Sequence, residues 1–216
     1  MREKAGIIDN YGQVSVGAYL KVCEIAKDET RDDLSRQVAI LAVLYGVTED
    51  EILDLPLGEY KARAAAASFL ETPCENLPRV ANKYTLGDLV LIPIADVSKM
   101  TAGQYIDFQT YVQQGEPALV EQLSCFLVPE GCDYGRGYDM AEVHAAIRDH
   151  LTIRDTLALC GFFLTLWRKS IAATLTSSKR EARQIQDKET RKGLLRRIRR
   201  AERLLNDGDG LPTSTE

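Results

Sequence analysis

Cys125, Cys132, His144 and His150 follow one another in the order of a structural zinc site, thiolates first and imidazoles after. Their spacing argues the other way. Six residues separate the two cysteines, where about two to four is usual, and Cys125 lies inside the apolar run LSCFLVP. Buried thiols and surface histidines are the better reading, with no metal and no cofactor. The stretch CDYGRGY, Cys132 to Tyr138, has neither the GxGxxG nor the GxxxxGK spacing that cradles phosphate, so it reads as a loop. There is no HExxH motif, no nucleophile elbow and no paired carboxylate with a histidine. The two histidines are expected on one helix, away from any identifiable nucleophile. Cys160, among Leu159, Phe162 and Phe163, is expected in the core, where desolvation raises a thiol's pKa and makes it inert. These residues point to a binding or assembly module rather than an enzyme.

The strongest chemical signal is electrostatic. From Arg168 to Arg203 the chain carries thirteen Lys or Arg against four Asp or Glu, a local +9 in a 216-residue protein of net −5. The first 167 residues hold 14 basic and 25 acidic side chains, or −11. Such a split speaks of partners. Arg191, Lys192, Arg196, Arg197, Arg199, Arg200 and Arg203 form the basic face of an expected helix, while Leu194, Ile198, Ala201 and Leu205 fall on one apolar stripe at intervals of four, three and four. Counterion release would reward such a face on nucleic acid, but the segment has no aromatic residue to stack on bases. Its stripe suits a protein surface better. The absence of Trp and Phe from that stripe also disfavours a membrane surface. Gly193 interrupts the pattern and is expected to let the last turns move independently.

The elements that would position these groups are marked by helix caps. Thr30 with Asp33, Thr48 with Glu51, Thr101 with Gln104, Asp139 with Glu142 and Thr152 with Asp155 each fit a capping box, and Ser15 fits an N-cap. Lys83 to Leu86 and Leu89 to Ile92 flank Gly87-Asp88, which predicts a tight β-hairpin near residues 83–94. Pro93 should end its second strand or keep it at an edge. A helix, Gly46 and a second capped helix share a layout with helix-turn-helix units, but Glu49, Asp50, Glu51 and Asp54 would face phosphates, so ordinary packing is expected. The longest uncharged apolar run, Thr156 to Trp167, is too short for a membrane span of roughly 20 residues and reads as a buried helix. The N-terminus lacks a signal-peptide apolar stretch, so no export is expected. Five scattered cysteines suit free thiols. The expected fold is mainly α (α+β): a helical body with the hairpin over 1–170, a basic helical extension over 171–206, and a flexible tail over 207–216.

Three stretches in this order, VAILAVLYGVTEDEILDLPLGEY (Val38 to Tyr60), MTAGQYIDFQTYV (Met100 to Val112) and LTIRDTLALCGFFL (Leu151 to Leu164), resemble tail assembly chaperones of tailed bacteriophages. With the hairpin before the second, the resemblance spans roughly 15–169. It implies a mostly helical protein of the host cytoplasm that coats hydrophobic helices of the tape measure protein until tail-tube subunits replace it. Recognition of a helix in a groove is the implied mode. Ile106, Phe108, Tyr111, Phe162, Phe163 and Trp167 are the candidate groove residues. The long basic extension departs from the simplest family pattern. Expected partners are the tape measure or another tail protein, with self-association as a further expectation, and neither nucleic acid nor membrane. The alternative is a structural virion component, a connector or baseplate-associated protein, whose basic helix docks on an acidic neighbour or on DNA.

Overall fold

A computed structural model describes residues 6–184 and 187–206. The tail expected over 207–216 lies outside them. Among the described residues the chain is mainly helical, with nine α-helices and one three-stranded antiparallel sheet. The helices are α1 (Val16–Lys27), α2 (Asp33–Tyr45), α3 (Glu49–Leu53), α4 (Leu57–Ala66), α5 (Ala102–Gln114), α6 (Leu119–Ser124), α7 (Met140–His150), α8 (Ile153–Gln184) and α9 (Lys188–Asn206). The strands are β1 (Tyr84–Leu86), β2 (Leu89–Pro93) and β3 (Leu127–Pro129).

Local chemistry starts most of these helices. Thr48 and Thr101 head full capping boxes with Glu51 and Gln104. Ser15 accepts from the Ala18 amide, and Thr152 Oγ1 accepts from the Asp155 amide at 3.1 Å. Three starts differ from expectation. At Thr152 the Asp155 carboxylate accepts from the Thr152 hydroxyl instead of its amide, so only the cap forms and not the full box. Thr30 is drawn into the preceding turn, where both its amide and its hydroxyl donate to Asp28, so Asp32 caps α2 through the Ser35 amide. Asp139 caps α7 through the Ala141 amide, one position short of the box expected with Glu142. Gly46 closes α2 at φ +62°, a left-handed conformation that a side chain would strain.

The starts of α1 and α8 are pinned to each other. An antiparallel bridge joins Ser15 to Thr152, with Val16 N donating to Leu151 O and Ile153 N to Val14 O, both at 2.9 Å. Two N-cap residues distant in sequence therefore sit side by side, and the helices leave from one anchored point.

The hairpin forms as expected around Gly87-Asp88, pairing Tyr84 with Leu91 and Leu86 with Leu89. Gly87 has φ +60° while Asp88 keeps an ordinary φ, the pattern of a II′ turn. The His150 ring covers Gly87, whose added Cβ would lie 3.1 Å from Nε2. Sequence reading missed β3, which pairs with β2 through Leu91 to Pro129 and Pro93 to Leu127. Thus β2 is central rather than at an edge. Pro93 is tolerated because it is the last residue of the strand, and the ladder resumes with Ile94 N donating to Phe126 O.

Two apolar clusters hold these elements. The larger joins Leu91 and Leu127 of the sheet to Leu123, Val143, Ile147, Leu151 and Leu159, all buried. The smaller, Val38, Leu41, Ala42 and Ile52, binds α2, α3 and α4 into a helical shoulder. A large aliphatic side chain so buried contributes roughly 1.5–3 kcal/mol. α8, 32 residues long, runs about 48 Å at 1.5 Å per residue and passes unbroken through position 170. α9 packs against α8, where Ala182 and Ile198 are buried, and it continues through Gly193.

Candidate functional site

An uncharged concavity lies between α5 and the middle of α8, with α6 and Phe126 as its floor. Its volume is about 460 Å³. α5 contributes Tyr105, Phe108 and Val112, α6 contributes Leu119 and Leu123, and α8 contributes Cys160, Phe163, Leu164, Trp167 and Ile171. None of the lining side chains is charged. The α8 residues recur at intervals of three and four, a stripe along one helix face. A shallower continuation carries the stripe through Thr174 to Leu175. From Cys160 to Leu175 the stripe is about 22 Å long, or four helical turns.

Aromatic packing sets the walls. Phe126 stacks on Phe163 with centroids 4.0 Å apart, and Phe108 meets Phe126 edge-on at 4.6 Å. At the rim, Tyr105 stacks on Trp167 at 5.5 Å and 11°, which bridges α5 and α8 above the floor. Offset contacts of this kind fix ring positions as well as burying area. Gln122 donates its Nε2 to Tyr111 O and Gly115 O, tying the end of α5 to α6. With Gln109 it supplies the amide groups of a cavity otherwise lined by aromatic and aliphatic side chains and the Cys160 thiol.

Of the six residues expected to line a groove, Phe108, Phe163 and Trp167 meet here. Phe162 packs on the core beside Phe163, with ring centroids 5.5 Å apart, and Tyr111 packs on the core one turn from Phe108. Ile106 points away, 61% exposed. The phase of α5 misled the reading because its buried face includes a polar residue, Gln104, whose Nε2 donates to Cys125 O at 2.7 Å. The regular spacing of Cys160, Leu164, Trp167 and Ile171 was the signal for the α8 wall. Cys160 is a wall residue rather than interior core, and burial still pushes its thiol up.

Groups that the sequence offered for other chemistry have separate partners. Cys125 Sγ lies 3.6 Å from Tyr134 Oη, and burial pushes its thiol up to about 11. Among the described residues no group of three His, Cys, Asp or Glu could hold a metal ion. His144 does face a hydroxyl, contrary to expectation: Nε2 is 3.0 Å from Ser124 Oγ. Ser124 donates its single proton to Glu121 O at 2.7 Å, so the imidazole is the donor between them. Burial holds His144 below its usual range, which keeps it neutral at pH 7. Ser124 is itself 1% exposed, so this pair locks α6 to α7 and offers no nucleophile.

On α9, Lys192, Arg196, Arg197, Arg199 and Arg200 are exposed, Leu194 is half-buried and Ile198 is buried. The side chains of Arg191, Ala201, Arg203 and Leu205 lie outside those described. Among the described residues no helix is long and apolar enough to cross a membrane. No protein-family model, no curated protein and no solved structure matches the chain.

Proposed function

We propose that this protein is a helix-binding assembly chaperone of the tailed-phage type, acting in the host cytoplasm. It holds an amphipathic helix of the tape measure protein in the α5–α8 groove. The observation that carries this reading is the uncharged four-turn groove itself, open to solvent and walled by aromatics. Two of the three stretches that carry the resemblance, Met100 to Val112 and Leu151 to Leu164, contribute residues to its two walls, which Trp167 and Ile171 extend. An amphipathic helix hides its apolar stripe there from self-association, and the groove needs no catalytic group to do so.

Co-expression with the tape measure protein encoded alongside tests the reading. The tape measure is expected to stay soluble and to co-purify with this chain. Leu164→Arg places a guanidinium on a rim residue that is already 42% exposed, so the fold should survive while helix binding weakens about tenfold or more. A tape measure equally soluble without this chain, with no co-purification, overturns the proposal. Recovery of the protein from purified particles would favour the structural virion component instead.

A further inference from the structure

Among the described residues nothing covers the exposed face of α9. Arg196, Arg197, Arg199 and Arg200 are all solvent-exposed, and among the described residues none of them forms an ion pair. α8 is the only element that α9 packs against substantially among the described residues. A helix that buries one stripe and lifts a row of guanidinium groups outward is built for an anionic surface.

The same chain carries such a surface. Between Asp28 and Ala66, the end of α4, there are nine Asp or Glu and four Lys or Arg, a local −5. Arg31 pairs with Asp28 and Glu49, Arg36 with Asp33 and Arg63 with Glu59, while among the described residues Asp50 and Asp54 form no ion pair. The Arg31–Glu49 pair at 2.9 Å holds the start of α2 beside α3, and the five residues of α3 span about 7.5 Å. Leu53 and Leu57 are exposed at 65% and 67%, each within three residues of the exposed carboxylate of Asp50 or Asp54, and Leu34 on α2 is 62% exposed. Exposed leucines among carboxylates suit a basic helix whose arginine stems carry apolar length. α9, with 19 residues or about 28 Å, is long enough to cover it.

We infer that the cationic face of α9 docks on the acidic, leucine-bearing α2–α4 shoulder of a second copy of this chain. Donor and acceptor patches differ, so two copies can exchange arms about a two-fold axis or repeat head-to-tail into a ring or an open chain. Charge complementarity selects this occupant: the +9 segment and the −11 body belong to the same molecule, and association offsets both. Nucleic acid matches only one half of that pair. The inference is independent of the α5–α8 groove.

Light scattering of the full-length protein at several concentrations provides the test. Wild type should associate at roughly 0.05 M salt and fall to monomer near 0.5 M, because exposed pairs are screened over about 10 Å at 0.1 M. A variant with R196E, R197E, R199E and R200E should associate at least about tenfold more weakly, and so should one with D50K and D54K. Mixing the two should restore a one-to-one complex, an outcome that misfolding of either variant would not give. A wild type monomeric at every salt overturns the inference, as does shoulder reversal without effect or a mixture that fails to associate. So does a wild type that stays monomeric alone and binds a random-sequence DNA duplex or RNA hairpin.

Discussion

Gln104 joins two parts of the fold with one side chain. Its Oε1 accepts from the Thr101 amide and its Nε2 donates to Cys125 O, in a site only 2% exposed. Gln104→Leu fills the volume but strands that carbonyl, so equilibrium urea unfolding should show a loss of about 1–3 kcal/mol. Titration should be visible as well. The Cys125 and Cys23 thiols are both pushed up to about 11, by burial first and, for Cys23, by Glu116 next. In the unfolded chain they ionise near 9.0, so stability present below that pH is lost as pH rises towards 11. His144 works at the other end: its native pKa is depressed, so stability falls as pH drops below the ordinary 6.5. Urea midpoints across pH should therefore decline on both flanks, and Cys125→Ala should make the alkaline decline shallower. An unchanged alkaline slope would remove Cys125 from this account. At this scale the sequence was a partial guide. A buried thiol is legible from its apolar neighbours, whereas the tie from Gln104 to Cys125, 21 positions away, exists only once α5 packs beside α6.

Elements were legible where a short segment fixes its own conformation. The boxes at Thr48 and Thr101, the cap at Ser15 and the turn at Gly87-Asp88 are local hydrogen-bond solutions that need no distant partner. β3 was not legible, because three residues have no period to read and acquire strand geometry only by pairing with β2. The α8 wall of the groove was half legible: its spacing is in the sequence, but α5 decides which part stays uncovered. Close approach between elements was hidden as well. A Cβ on Gly17 of α1 would lie 2.6 Å from Arg148 Cγ and 3.0 Å from the Arg148 carbonyl at the end of α7. Gly17→Ala should then force α1 and α7 apart and cost about 1–3 kcal/mol. Gly161, inside α8, should behave oppositely, because a Cβ added there would meet nothing within 4 Å. Gly161→Ala should stabilise by up to about 1 kcal/mol through helix propensity alone. Thermal unfolding of the two variants side by side checks the contrast, and equal signs would contradict it.

At the scale of the whole molecule, two surfaces of opposite character lie on separate supports. The groove is uncharged and rests on α5, α6 and the middle of α8; the arginine face rests on α9 and its complement on α2–α4. Apolar burial changes little with salt over the range that screens exposed charge. The two kinds of association should therefore separate in one experiment. Trp167, the single tryptophan of the chain, sits in the groove wall stacked on Tyr105, so its fluorescence reports occupancy directly. Adding an amphipathic helical peptide from the tape measure should shift that emission to the blue, as the indole loses water. The titration midpoint should change by less than about twofold between 0.05 and 0.5 M salt. The variant carrying R196E, R197E, R199E and R200E should give the same midpoint as wild type while its self-association collapses. Leu164→Arg should do the reverse. A midpoint that tracks salt or arm charge would mean that α9 contributes to helix binding, and the separation of the two surfaces would fail.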